Sequence, residues 1–197
     1  MEVPYRQIRA AYTEEAVTVY QAHDPAVADR AVAAQRFVPP FKRERMTWVK
    51  PSFHWMMYRS GWAAKPGQTR VLAIQVSRDG FEWALAHSCP SHPGPGEDQR
   101  TWATRLRESP VRIQWDPERD ARLHPLPYRS IQIGLSGEAV DRYVDEWIVS
   151  IADITAALGA IRAGAVAPPA ERPYPLPSRL AGVIGASPDA DDRAGRR

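Results

Sequence analysis

One cysteine, three lysines and no long apolar run are the scarcities that bound this chain. With Cys89 alone, no intramolecular disulfide can form and no cluster of thiolates can hold zinc. No apolar stretch approaches the roughly 18 residues that cross a bilayer. Met1-Glu-Val-Pro-Tyr-Arg-Gln7 carries no apolar core of a secretory signal, so a cytoplasmic protein with no membrane partner is expected. His23, His54, His87, His92 and His124 fall at no ligand spacing, and no metal is expected. The Gly-rich phosphate loop, Gly-x-Gly-x-x-Gly, Gly-x-Ser-x-Gly and His-Glu-x-x-His are all missing. Internal repeats and heptads are missing too.

What is present is concentrated. Between Arg36 and Arg70 lie eight basic residues and one acid, Glu44, a net +7 in a chain of net +3. The same window holds Trp48, Phe53, Trp55, Tyr58 and Trp62. Codon bias accounts for 23 Arg against three Lys in the whole chain, but it would raise Asp and Glu in this window equally. Positive charge interleaved with rings suits an anionic, ring-bearing partner: a nucleotide, a dinucleotide or a nucleic-acid strand.

The 197 residues fit one domain, and 44% hydrophobic content with seven Trp suffices for a core. Ala16–Gln21 and Arg70–Val76 read as strands, the second central. Asp24-Pro25 caps a helix to about Arg36, and Lys50-Pro51 opens another that stops at Gly61. Asp79 with Glu82 resembles a capping box for a helix Gly80–His87. Ser91–Gln99 is an exposed loop. Val111–Trp115 and Arg129–Gly134 are further strands. Val140, Tyr143, Val144, Trp147, Ile148 and Ile151 form the strongest helical stripe, predicting one long helix capped by Ser136. The irregular order of elements predicts an α+β fold: a single compact domain, 1–166, with a small mixed or antiparallel sheet and several packed helices. Residues 167–197, with six prolines and no periodicity, are expected to be an extended or disordered tail, dispensable for folding.

Four constellations could carry chemistry. Arg6 and Arg9, at odd spacing, cannot share one face of a regular strand; they are phosphate ligands or surface arginines. Lys50 and Ser52 stand at a helix start whose free N–H groups suit an anion, Arg59 follows in the same run as a further phosphate ligand, and His54 is a candidate acid or base. In Gln114-Trp-Asp-Pro-Glu-Arg119, Asp116 is expected to cap a turn, whereas Glu118 is the candidate catalytic carboxylate. In Arg129-Ser-Ile-Gln132, Arg129 and Gln132 are ligand candidates on opposite faces, and a buried Gln needs a partner. Cys89, between His87 and His92, reads as an incidental thiol or, with a histidine as base, a nucleophile.

The run Trp48-Val-Lys-Pro-Ser-Phe-His-Trp-Met-Met-Tyr-Arg-Ser-Gly-Trp62 resembles the signature of domain of unknown function family 4291 of bacteria and fungi. Tyr5–Ala10, Val19-Tyr-Gln-Ala22 (with Tyr20 a further ligand candidate), Gln114–Arg119 and Arg129–Leu135 extend the resemblance over about residues 4–165. A more distant association links such Arg-rich α+β proteins to the ADP-ribosyltransferase fold. That resemblance implies NAD as donor, Arg6 holding it and Glu118 guiding transfer. This chain has neither a Ser-Thr-Ser strand nor a Glu-x-Glu or Gln-x-Glu pair. Three readings follow: an enzyme acting on a nucleotide or nucleic acid, a non-catalytic binding module for the same partners, or an interaction protein whose aromatics are core.

Overall fold

The computed structural model describes residues 3–94 and 96–187. The architecture is α+β, and apolar β-branched segments form its centre. Strand β1 (Arg9–Ala10) is followed by β2 (Ala16–His23), which buries Val17 and Val19 on one face and Tyr20 on the other. Helix α1 (Pro25–Ala34) starts where the Asp24 side chain accepts the Val27 N–H, and ends at Gln35 in the left-handed conformation. It ends two residues short of the expected Arg36.

Strand β3 (Thr47–Val49) leads into α2 (Phe53–Ser60). Ser52, not Lys50, is the cap: its hydroxyl accepts the Trp55 N–H, and Gly61 closes the other end with φ of 61°. Strand β4 (Arg70–Ser77) passes directly into α3 (Arg78–Ala86). Ser77 caps α3 in place of the expected Asp79, because the chain turns at the strand's end; Glu82 instead accepts the Tyr174 hydroxyl. Strand β5 (Ser88–Pro90) and α4 (Gln99–Glu108) follow. Helix α4 buries no residue, which is why no apolar stripe announced it.

Strand β6 (Val111–Arg119) runs through Pro117, where a register shift against its partner accommodates the ring. The turn expected at Asp116 is therefore absent. Strand β7 (Pro125–Leu135) pairs with it antiparallel. The long helix expected from Ser136 is short: α5 (Glu138–Arg142), a π-helical turn over Tyr143–Trp147, then strand β8 (Ile148–Asp153). Ile148 and Ile151 are thus strand residues, recruited to pair with β4. Trp147 is buried, and its indole lies against Gly80 of α3, where a Cβ would come within 2.3 Å of the ring. A 3₁₀ turn (Thr155–Ala157) and α6 (Leu158–Arg162) follow, then β9 (Arg172–Pro173) and α7 (Ser178–Ile184).

Strands β2, β4 and β8 form one antiparallel sheet in the order β2-β4-β8; β3, β7, β6 and β5 form a mixed sheet in that order, with β5 parallel to β6. The bridge between Tyr20 and Lys50 ties the two sheets together at their edges. The expected tail needs correction over its described part. Arg172–Pro173 pairs with β1, and Tyr174, Leu180 and Ile184 join the main core. Each such side chain contributes roughly 1.5–3 kcal/mol of burial. Prolines shape this segment without detaching it, because edge strands and helix starts tolerate them. Residues 188–197 lie outside the described residues.

Candidate functional site

Two of the eight basic residues of the window find acids from elsewhere. Arg43 pairs with Asp141 and Asp145, and Arg70 with Asp29 and Asp153. Lys65 donates to the Tyr58 and Arg59 carbonyls at the end of α2. Among the described residues, Arg36, Lys42, Arg45, Lys50 and Arg59 have no carboxylate at ion-pair distance. Of these, Arg45, Lys50 and Arg59 line a cleft of about 690 Å³, and Lys50 is the buried one.

The cleft draws on both sheets and α2. Gln21 and His23 come from β2, Thr47 and Trp48 from β3, Trp55 and Arg59 from α2, Gln114 and Asp116 from β6, and Gln132 from β7. Its frame is fixed by a buried relay. The Tyr143 hydroxyl donates to Gln21 Oε1, and Gln21 Nε2 donates to Thr47 Oγ1 at 2.6 Å and to the Trp48 carbonyl at 3.2 Å. Trp48 stands opposite Gly134 in the β3–β7 register, and a Cβ there would meet the indole at 2.9 Å. Gly134 thus gives that ring its place. Asp116 accepts from Gln114 Nε2 at 3.0 Å and from Gln132 Nε2, so it is a strand residue facing the cleft, not a turn cap.

Lys50 is 6% exposed, and Arg59 stands at the exposed mouth. The Lys50 ammonium donates to the Trp48 carbonyl at 3.3 Å and lies 5.4 Å from the Trp55 ring centre. Burial, reinforced by the Arg59 charge and opposed by Asp116, brings its pKa down to about 7. Burial likewise lowers His23 to about 4, where Lys50 adds to the effect and Asp24 opposes it. The Trp55 indole nitrogen and His23 Nε2 are buried without a hydrogen-bond partner. Two unsatisfied polar groups on residues lining one cleft with an unpaired cation are costly unless something else meets them.

Beside Lys50, the expected anion site at the start of α2 is already filled by the chain. The Phe53 N–H donates to Glu171 Oε1 at 2.6 Å, and the Ser52 hydroxyl donates to Glu118 Oε1 at 2.8 Å. Glu118 also accepts the Arg119 N–H. Burial raises Glu171 to about 8, with Glu118 adding to the shift and Arg9 opposing it; burial also raises Glu118. Glu171 lay in the supposed tail. The signal that could have rescued it is Leu180, Val183 and Ile184 at i, i+3, i+4 just downstream.

The ten residues singled out from sequence therefore divide. Lys50, Arg59 and Gln132 meet in the cleft. Ser52 and Glu118 belong to the acid cluster, and Arg9, which donates to the Glu171 carbonyl, lies against it. Tyr20 is core, its ring packed on Phe53, and its hydroxyl is raised by burial and by Glu171. Arg6 lines a separate cavity of about 560 Å³ and donates to the Gly185 carbonyl. Arg129 stacks on Tyr5 and donates to its hydroxyl, because the bridge between Arg6 and Arg129 draws the N-terminal segment along β7. His54 is half-buried against Phe53, its pKa lowered by burial, and does not line the cleft. Arg6, Lys50, Ser52 and Arg59 do not converge on one site, because Arg6 and Ser52 do not line the cleft. Sequence reasoning missed Gln21, His23, Gln114 and Glu171 as site residues.

These features define a small α+β domain with a basic, aromatic cleft at the junction of two sheets. The chain belongs to the family described as Domain of unknown function (DUF4291), whose model matches residues 7–172. No curated protein matches it. Among the described residues, no helix is long and apolar enough to cross a membrane.

Proposed function

We propose that the cleft binds a small anionic, ring-bearing ligand of the nucleotide class. The observation that carries this reading is the buried Lys50 ammonium without a carboxylate partner, opening on a cavity of ligand size. Arg59 at the mouth supplies a planar fork for phosphate, and Trp48 and Trp55 supply faces for a ring. A small ligand is favoured over a nucleic-acid strand, because strand binding needs a long groove with open rings. Here Trp55 is 5% exposed, and Trp48 and Trp62 are partly buried.

The reading leaves enzyme and binding module as two uses of one cleft. The ADP-ribosyltransferase association gains no support from the geometry, since Arg6 lines another cavity and the Glu118 carboxylate is closed off by Ser52 and the Arg119 N–H. NAD enters as one member of the nucleotide class, and a cytoplasmic location suits such a ligand. A thermal-shift series with AMP, ADP, NAD and short RNA and DNA tests the proposal. A mononucleotide at a hundredfold excess over Kd is expected to raise Tm by about 5–10 °C. Arg59→Ala, at an exposed position, is expected to abolish the shift without lowering the Tm of the free protein. A shift that Arg59→Ala leaves intact, or no shift with any of these ligands, overturns it.

A further inference from the structure

Buried lysines in stable proteins are paired with a carboxylate, because an unpaired ammonium is too costly to bury. Lys50 has no such partner, and Arg59 opens on the same cleft. Its ammonium makes one long hydrogen bond, to the Trp48 carbonyl, which leaves the rest of the nitrogen uncommitted. A lysine desolvated beside a second cation is the arrangement that produces an amine nucleophile. Resting on the reading of the cleft as a site for an anionic, ring-bearing ligand, we propose that Lys50 condenses reversibly with a ligand of that kind that carries an aldehyde or ketone group, which AMP, ADP and NAD do not. The lowered pKa agrees: burial and the neighbouring Arg59 charge favour the free amine at a pH where an ordinary lysine is almost wholly protonated.

The chemistry balances without an oxidant or reductant. The amine lone pair forms a C–N bond to the carbonyl carbon, and the carbonyl π pair moves to oxygen. One proton passes from nitrogen to that oxygen. The oxygen then leaves as water with a second proton from nitrogen, and C=N replaces C=O. Arg59 at the mouth holds the anionic end of the ligand, and the indoles of Trp48 and Trp55 accept a ring. Asp116 is the carboxylate lining the same cleft, and the Gln114 and Gln132 amides hold it in place.

The chain carries an internal control, since its only other lysines, Lys42 and Lys65, are exposed. The full-length protein is treated at pH 7 with pyridoxal 5′-phosphate, an anionic aromatic aldehyde, then with cyanoborohydride, and the labelled lysines are located by mass spectrometry. Lys50 is expected to be labelled at least about tenfold faster than Lys42 and Lys65, with the preference shrinking as pH rises and the exposed amines become neutral. In denaturant the three lysines are expected to react alike. Equal labelling in the folded protein, or labelling of Lys42 and Lys65 alone, overturns the proposal. Pyridoxine 5′-phosphate, which has an alcohol in place of the aldehyde, separates the two readings. If it binds and quenches tryptophan fluorescence while Lys50 stays unlabelled, the imine fails and the cleft reading stands. If it does not bind and only surface lysines react, the imine fails, and the nucleotide series decides the cleft reading separately.

Discussion

Lys50 and Ser52 are two residues apart, yet they meet opposite electrostatic surroundings. Lys50 shares its cleft with Arg59 and has no carboxylate partner. Ser52 and the neighbouring Phe53 N–H are met by two carboxylates, Glu118 and Glu171. On the acid side the chain satisfies its own helix start, so no external anion is needed there. On the basic side Lys50 is buried at a cleft that Arg45 and Arg59 also line, with no carboxylate at ion-pair distance from any of the three among the described residues. An unmatched group, not a helix terminus as such, is what marks a ligand site, because a terminus capped from within has no free donors left to offer.

The largest effect is expected from breaking the acid side. Deleting residues 171–197 removes Glu171 together with Tyr174, Leu180 and Ile184, which are buried in the core. Large-to-small changes at such positions cost roughly 2–5 kcal/mol each, so the truncated chain should not show a cooperative melt near that of the full chain. A Tm within about 3 °C of the full chain, under 1.5 kcal/mol at this size, would show the segment to be an appendage.

Gly134→Ala sharpens the comparison from the basic side. Its methyl group would meet the Trp48 ring at 2.9 Å, and the displaced ring should cost about 1–3 kcal/mol. Urea titration reads the stability, and tryptophan quenching reads the weakened ligand. Unchanged affinity with a displaced ring would remove Trp48 from the site.

The two sides should also differ in sign against pH. Glu171 is raised to about 8 from 4.5, so between those values the folded chain binds more protons than the unfolded one, and stability falls as pH rises. Lys50 is lowered to about 7 from 10.5, so across that window the unfolded chain binds more protons and stability rises with pH. Glu171→Gln should flatten the first limb, leaving the variant on the order of 3 kcal/mol better off at pH 8 than at pH 5 relative to wild type. A difference profile that is level across that range would mean the carboxyl is ionised normally.

Lys50→Met should change stability little at pH 6, between no effect and a gain of about 2 kcal/mol, while abolishing the nucleotide-induced shift. A loss of about 3–5 kcal/mol would instead identify a structural ion pair. The smallest effect is expected from His54→Ala: nucleotide affinity by calorimetry should stay within about twofold, on the order of 0.4 kcal/mol, because the ring does not line the cleft.

Much of the fold was legible because local patterns carry it. Asp24-Pro25 started α1, Gly61 stopped α2, the β-branched run Ala16–Gln21 marked β2, and the apolar run Arg70–Val76 marked β4 as central. Where a segment served two periods, locality failed. Tyr143 to Ile151 reads as a helical stripe, but the open edge of β4 takes Ile148–Asp153 as a strand. Half of the cleft was legible for the same reason: Lys50, Trp55 and Arg59 lie in one short run, whereas Gln21, Asp116 and Gln132 reach it from distant strands. Glu171 was illegible, since composition made its neighbourhood look like a tail.

The sequence by itself determined the α+β class, the single domain, the family and the basic aromatic window, because these follow from composition, periodicity and contiguous motif. The tertiary structure alone decided which charges are spent and which are left over. Arg43 and Arg70 find aspartates 98 to 102 and 41 to 83 residues away, and Phe53 finds Glu171 across 118 residues. Charge pairing depends on distance in space and on burial, and neither is written in the order of residues along the chain.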